Sequence, residues 1–224
     1  MEILQRSLSD LATSIPGASS VFRGLDLNFC SSDNGQISLA NALAGKQVDA
    51  KVVVAQLESL LAALHSEDGE IDWSKASPTM LISHILERYH ARHREQLPEL
   101  VFLATKVERV HQAKPDCPVG LAELLRDINH NLDNHMMKEE QILFPMLGGG
   151  VYPNGPINVM QDEHEEHLQI IERIKTLTNN ISLPDGACNS WQALYLGLDT
   201  FCDDLMRHVA LENHFLFIPP ATKQ

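Results

Sequence analysis

HMMKEEQILFP, residues 135–145, sets a histidine and a glutamate four positions apart in a stretch that otherwise reads as an amphipathic helix. At 3.6 residues per turn, His135 and Glu139 lie about 40° apart around the axis and about 6 Å apart along it, so both project from one face. An inward helix face is normally dry, and two ionisable groups on it need partners.

A second version of this stretch lies near the end of the chain: HVALENHFLFIP, residues 208–219. Both copies read His, three residues, Glu, three residues, Leu-Phe and then Pro, with Ile218 as one extra residue in the second. Each copy also has a histidine far upstream. YHARHRE supplies His90, 45 residues before His135, and EHEEHLQ supplies His164, 44 residues before His208. The local spacing repeats as well, as His90-x-x-His93 and His164-x-x-His167.

One isolated His-x-x-x-Glu is usually a solvated i,i+4 pair. Its recurrence, with the same upstream histidine and the same apolar tail, points instead to an internal repeat with a shared purpose. His90, His135, Glu139, His164, His208 and Glu212 are therefore the candidate metal ligands, brought together if the two halves pack as one bundle. Six inward ligands exceed the four of a tetrahedral zinc site. They suit two non-haem irons, each receiving two imidazoles and two carboxylate oxygens if Glu139 and Glu212 both bridge. A position then remains for an oxo or hydroxo bridge or an exogenous ligand, and two anionic bridges offset repulsion between the cations.

The remainder of the chain is compatible with this. At 224 residues it can bury a core of ordinary size with room for a small second domain. Seventeen Lys and Arg against thirty Asp and Glu give a net charge of −13, which argues against nucleic acid and anionic membrane surfaces as partners. The start, MEILQRSLSDLATS, lacks the basic end and apolar run of a signal peptide, and no stretch is long enough to span a bilayer, so a cytoplasmic location is expected. Cys30, Cys117, Cys188 and Cys202 form no CxxC pair and suggest neither a disulfide framework nor a thiolate zinc site. Cys30 alone sits among turn-forming residues, NFCSSDNG, where a redox-active thiol could be reached.

Residues 1–65 read as a small helical N-terminal domain, interrupted by SIPGAS, SSDNG and AGKQ, and 66–77 as a linker. Beyond it, 78–113, 118–148, 156–180 and 189–217 read as four helices, with Pro98 capping or kinking the first. The short Pro-, Gly- and Asn-rich connections favour antiparallel neighbours. The expected fold is all-α: an up-down-up-down four-helix bundle over 78–224, preceded by the small helical domain.

Other candidates are weighed against this set. Glu87-Arg-Tyr-His90 has the Glu-x-x-His spacing of ferritin-like di-iron proteins, but the residue three before His164 is Gln161, so Glu87 reads as solvated or as an outer partner. His65, His84, His93, His111, His130, His167 and His214 read as surface or outer-shell residues. Glu163, beside His164, is a candidate to hydrogen-bond a ligand or line an entry path. Met136, Met137, Met146, Met160 and Met206 read as core filling.

With these residues in place, the sequence resembles the hemerythrin-like di-iron proteins of the Repair of Iron Centres family. The resemblance runs along nearly the whole chain, through SIPGASSVFRGLDLNFC, YHARHREQLPEL, KVERVH, HMMKEEQILFPM, GPINVM, DEH and LMRHVALEN. It implies the same six ligands, a non-haem di-iron centre, and a role in mending iron–sulfur clusters damaged by oxidative or nitrosative stress by supplying iron to damaged proteins. It also implies, as alternatives, a sensor binding nitric oxide or oxygen, or a nitric oxide reductase at the same centre, and it leaves a homodimer open. Two departures stand out. Relatives usually carry adjacent cysteines where Cys30 is followed by SSDNG, which removes a vicinal dithiol. They also tend to be acidic where this chain has NHNLDN before His135, which weakens a carboxylate-lined path for iron.

Overall fold

A computed structural model describes residues 2–15, 17–27, 29, 35–46, 48–65 and 73–219. Cys30 and residues 66–72 of the expected linker lie outside the described residues. Among the described residues, five helices form the N-terminal part: α1 (Glu2–Gln5), α2 (Leu8–Ser14), α3 (Ala18–Gly24), α4 (Leu39–Leu43) and α5 (Ala50–His65). Ser7 and Ser38 cap α2 and α4 by accepting from Asp10 N–H and Asn41 N–H, satisfying donors that a helix start leaves open.

The bundle begins at α6 (Pro78–Ile85), with Ser77 as its cap and proline at its first position, where a missing N–H costs nothing. A π-helical turn, Leu86–His90, leads directly into α7 (Ala91–His111). Pro98 neither caps nor ends α7, which continues past it. The second rod is α8 (Leu121–Lys138), a π turn at Glu139–Leu143, and α9 (Phe144–Gly148). The third is α10 (Asn154–Leu177), and the fourth is α11 (Asn189–Leu211) with a π turn at Glu212–Leu216. The four rods fall within a few residues of the expected ranges; the π turns are additional. α7 packs on α8 and α11, and α10 packs on the same two, which closes the up-down-up-down ring.

Two apolar clusters fill the bundle. The larger joins the N-terminal helices to it, with Leu11, Phe22 and Leu57 in one continuous core with Leu103, Leu132, Trp191 and Leu205. The smaller holds Trp73, Ile85, Tyr89, Phe144, Met160, Leu216 and Phe217. Along every rod the candidate ligands fall where the chain passes from one cluster to the other. His90 lies between Tyr89 and Leu97, His164 between Met160 and Ile171, and His208 between Leu205 and Leu211. The six candidate ligands thus form a polar layer dividing the core.

The N-terminal helices are also tied down by charge. Arg23 of α3 pairs with the buried Glu99 of α7 at 2.9 Å and lies over the Phe102 ring. Trp73, inside the expected linker, is buried against His84 at 4.4 Å between ring centroids. Among the methionines, Met136 and Met160 are buried as expected, whereas Met137 and Met206 face solvent, because their positions fall off the inward stripe of their helices. No helix among the described residues is long and apolar enough to cross a membrane.

Candidate metal centre

All three π turns border candidate ligands. Leu86–His90 ends on His90, and the other two begin on Glu139 and Glu212. The wider turn lets a backbone N–H reach five residues back, from Phe144 to the Glu139 carbonyl and from Phe217 to the Glu212 carbonyl. This seats the phenyl ring five residues after each glutamate over a histidine of the neighbouring rod. Phe144 stacks on His90 at 5.5 Å and Phe217 on His164 at 5.7 Å. The phenylalanine of each repeated tail therefore covers an imidazole.

The structure brings all six candidate ligands together, each no more than 2% exposed. They form two overlapping groups, His90, His208, Glu139 and Glu212, and His135, His164, Glu139 and Glu212, with the ligand atoms of each group within 4.8 Å of one another. The histidine pairing crosses the halves of the repeat, which the sequence left open. Glu139 sets Oε2 3.4 Å from His90 Nε2 and Oε1 3.4 Å from His135 Nε2. Glu212 sets Oε1 3.2 Å from His208 Nε2 and Oε2 3.1 Å from His164 Nε2. Each glutamate thus gives one oxygen to each group.

The outer nitrogens fix the rings. His90 Nδ1 donates to Glu140 at 2.7 Å, His135 Nδ1 to Glu163 at 2.8 Å, and His164 Nδ1 to the Asn213 side-chain oxygen at 3.0 Å. Arg94 backs Glu140 at 2.8 Å, and Lys138 backs Glu163. Glu163 is thus placed as an outer partner of His135. Glu140 and Asn213 were missed, although a signal existed: each directly follows a repeated glutamate.

A cation fits this donor set. With Nδ1 donating outward, His135 and His164 present bare Nε2 lone pairs, and these face each other at 3.2 Å. Both oxygens of Glu139 and one of Glu212 are buried without a hydrogen-bond donor among the described residues. Lone pairs and carboxylates in a dry pocket repel unless positive charge sits among them. Without a metal, the same carboxylates favour the protonated form of the imidazoles beside them. Burial alone would lower the pKa of His90 and His135, but Glu139, Glu212 and their outer carboxylates outweigh it, raising His90 and taking His135 to about 9. Burial likewise opposes ionisation of Glu212, yet His208 and His164 hold it well below the usual carboxylate range.

The remaining candidates fall elsewhere. His93 and His167 are buried and pack edge-on or tilted against candidate ligand rings, His93 at 5.4 Å from His208 and His167 at 4.7 Å from His135. Burial holds both neutral, His167 with a pKa of about 3. Glu87, His130 and His214 are exposed. His84 packs between Trp73 and Tyr89, and His111 meets the Cys188 sulfur at 3.2 Å. Cys117 and Cys202 are buried, and burial pushes the Cys202 thiol up to about 12.

Comparison with known proteins agrees with this geometry. Residues 81–217 match a family described as "Hemerythrin HHE cation binding domain", and residues 4–61 match one described as "Domain of Unknown function (DUF542)". The chain is 48% identical over 219 residues, 97% of both chains, to the iron-sulfur cluster repair protein YtfE of Escherichia coli O157:H7. The protein of that name from Citrobacter koseri is 47% identical over the same share.

Proposed function

Because the chain belongs to the Repair of Iron Centres family, built on the hemerythrin HHE cation-binding domain with a non-haem di-iron cofactor, we propose that it restores damaged iron–sulfur clusters by supplying iron. The observation that carries this reading is the pair of buried His2Glu2 groups sharing both carboxylates. In it, His90, His135, His164 and His208 would hold the metal through nitrogen, and Glu139 and Glu212 through their carboxylates. When bound, two irons would supply reversible oxidation and exchangeable positions open to nitric oxide or oxygen.

The chain's own residues set the conditions. Glu140, Glu163 and Asn213 orient imidazoles through Nδ1 and so leave Nε2 as the position that would face the metal. Phe144, Phe217 and Tyr89 cover ligand rings and exclude bulk water. An imidazole must be neutral to hold a metal, so acid is expected to release iron from this donor set. We place this activity in the cytoplasm.

The test uses a dehydratase whose [4Fe–4S] cluster has been damaged by peroxide or nitric oxide. The iron-loaded chain is expected to restore its activity, and Glu212→Ala is expected not to. Recovery no faster than with an equal concentration of free ferrous ion contradicts the reading. Sustained nitrous oxide formation from nitric oxide and an electron donor, without cluster recovery, would mark a reductase instead.

A further inference from the structure

The repeat assigns an outer partner to each ligand histidine, and one of its four positions departs from the rule. In each half, the residue after the shared glutamate holds the histidine of that half's first rod: Glu140 holds His90, and Asn213 holds His164. The residue before a first-rod histidine serves the second-rod histidine of the other half. Glu163, which precedes His164, holds His135. Its counterpart in the repeat is Tyr89, which precedes His90 and faces His208. Tyr89 presents its ring face, parallel to His208 within 4° at 5.4 Å between centroids. His208 Nδ1 is buried and has no hydrogen-bond partner among the described residues.

An outer hydrogen bond strengthens an imidazole as a donor and fixes its tautomer, and losing one costs roughly 10–100-fold in metal affinity. Otherwise the two groups are matched. They share Glu139 and Glu212, and each has one imidazole backed by a carboxylate and a cation, Glu140 with Arg94 and Glu163 with Lys138. What distinguishes them is the Asn213 amide behind His164 against the Tyr89 face behind His208. We propose that the two iron positions are unequal, and that the one formed by His90 and His208 holds iron more weakly and gives it up first. The inference rests on the repair reading, in which iron is cargo, and assigns Tyr89, Asn213 and Glu140 as positioning residues that set this order.

Anaerobic titration of the metal-free full chain with ferrous ion, against a competing chelator, reads two stepwise affinities. Repulsion between neighbouring cations separates two steps by itself, so variants decide the assignment. Asn213→Ala is expected to weaken the tighter step by about tenfold and leave the looser step in place, closing the gap. Glu140→Gln, which loosens the hold on His90, is expected to weaken the looser step and widen the gap. Asn213→Ala acting on the looser step, or either variant shifting both steps equally or neither, overturns the inequality while leaving the two-iron centre standing. A chain that takes up no iron overturns the di-iron reading itself.

Discussion

Glu139 and Glu212 differ from every other carboxylate among the described residues in having one oxygen committed to each of two histidine pairs. Truncating either therefore injures both metal positions at once. Glu139→Ala or Glu212→Ala is expected to take iron content from about two per chain to below about one, measured by metal analysis after desalting. His93→Ala is the matched control. It removes a buried imidazole that touches His208 only through its ring, so iron content should hold while stability falls by roughly 1–3 kcal/mol for the cavity left. The six candidate ligands were legible because the repeat duplicates residue type and spacing together. Glu140 and Asn213 were harder to see, since they share a position but differ in chemistry, and Tyr89 hid behind its resemblance to ordinary core.

At the scale of elements, the π turns decide where the site's apolar cover falls. Two of them put a phenylalanine five residues beyond Glu139 or Glu212 and over an imidazole. Phe144→Ala or Phe217→Ala should each cost about 3–5 kcal/mol in urea unfolding, because a nearly fully buried ring is lost. Each should also speed removal of iron by a chelator, as water reaches His90 or His164. Phe102→Ala, at a ring 41% exposed, should cost under about 1 kcal/mol and leave iron removal unchanged. Apolar periodicity located the four rods to within a few residues. It could not locate the π turns, since one extra residue per turn leaves little mark on a short hydrophobic pattern, and only backbone bonding discloses it.

For the whole molecule, the N-terminal helices and the bundle share one core, and Arg23–Glu99 crosses between them. Composition shifts marked a separate N-terminal unit, but sequence alone gave no sign of this ion pair, whose partners lie 76 positions apart. Burial raises the pKa of Glu99, with Ser19 and Arg23 opposing the shift. A carboxyl that binds its proton more tightly when folded loses folding stability as pH rises from its unfolded value through its folded one. The wild-type chain should accordingly lose stability relative to Glu99→Gln as pH rises from about 4.5 through that raised pKa, and the difference should level off above it. Denaturant midpoints for the two chains across pH 4–8 check this, and a constant difference would show that Glu99 keeps an ordinary pKa.

The central claim is that six side chains in one buried layer hold two irons for cluster repair. Its most direct test is the iron content and visible spectrum of the chain purified without added metal, before and after reduction and anaerobic addition of nitric oxide. About two irons per chain, with an oxo-bridge absorption that disappears on reduction and is replaced when nitric oxide is added, is the predicted result. Protein carrying no metal, or zinc alone, would contradict it.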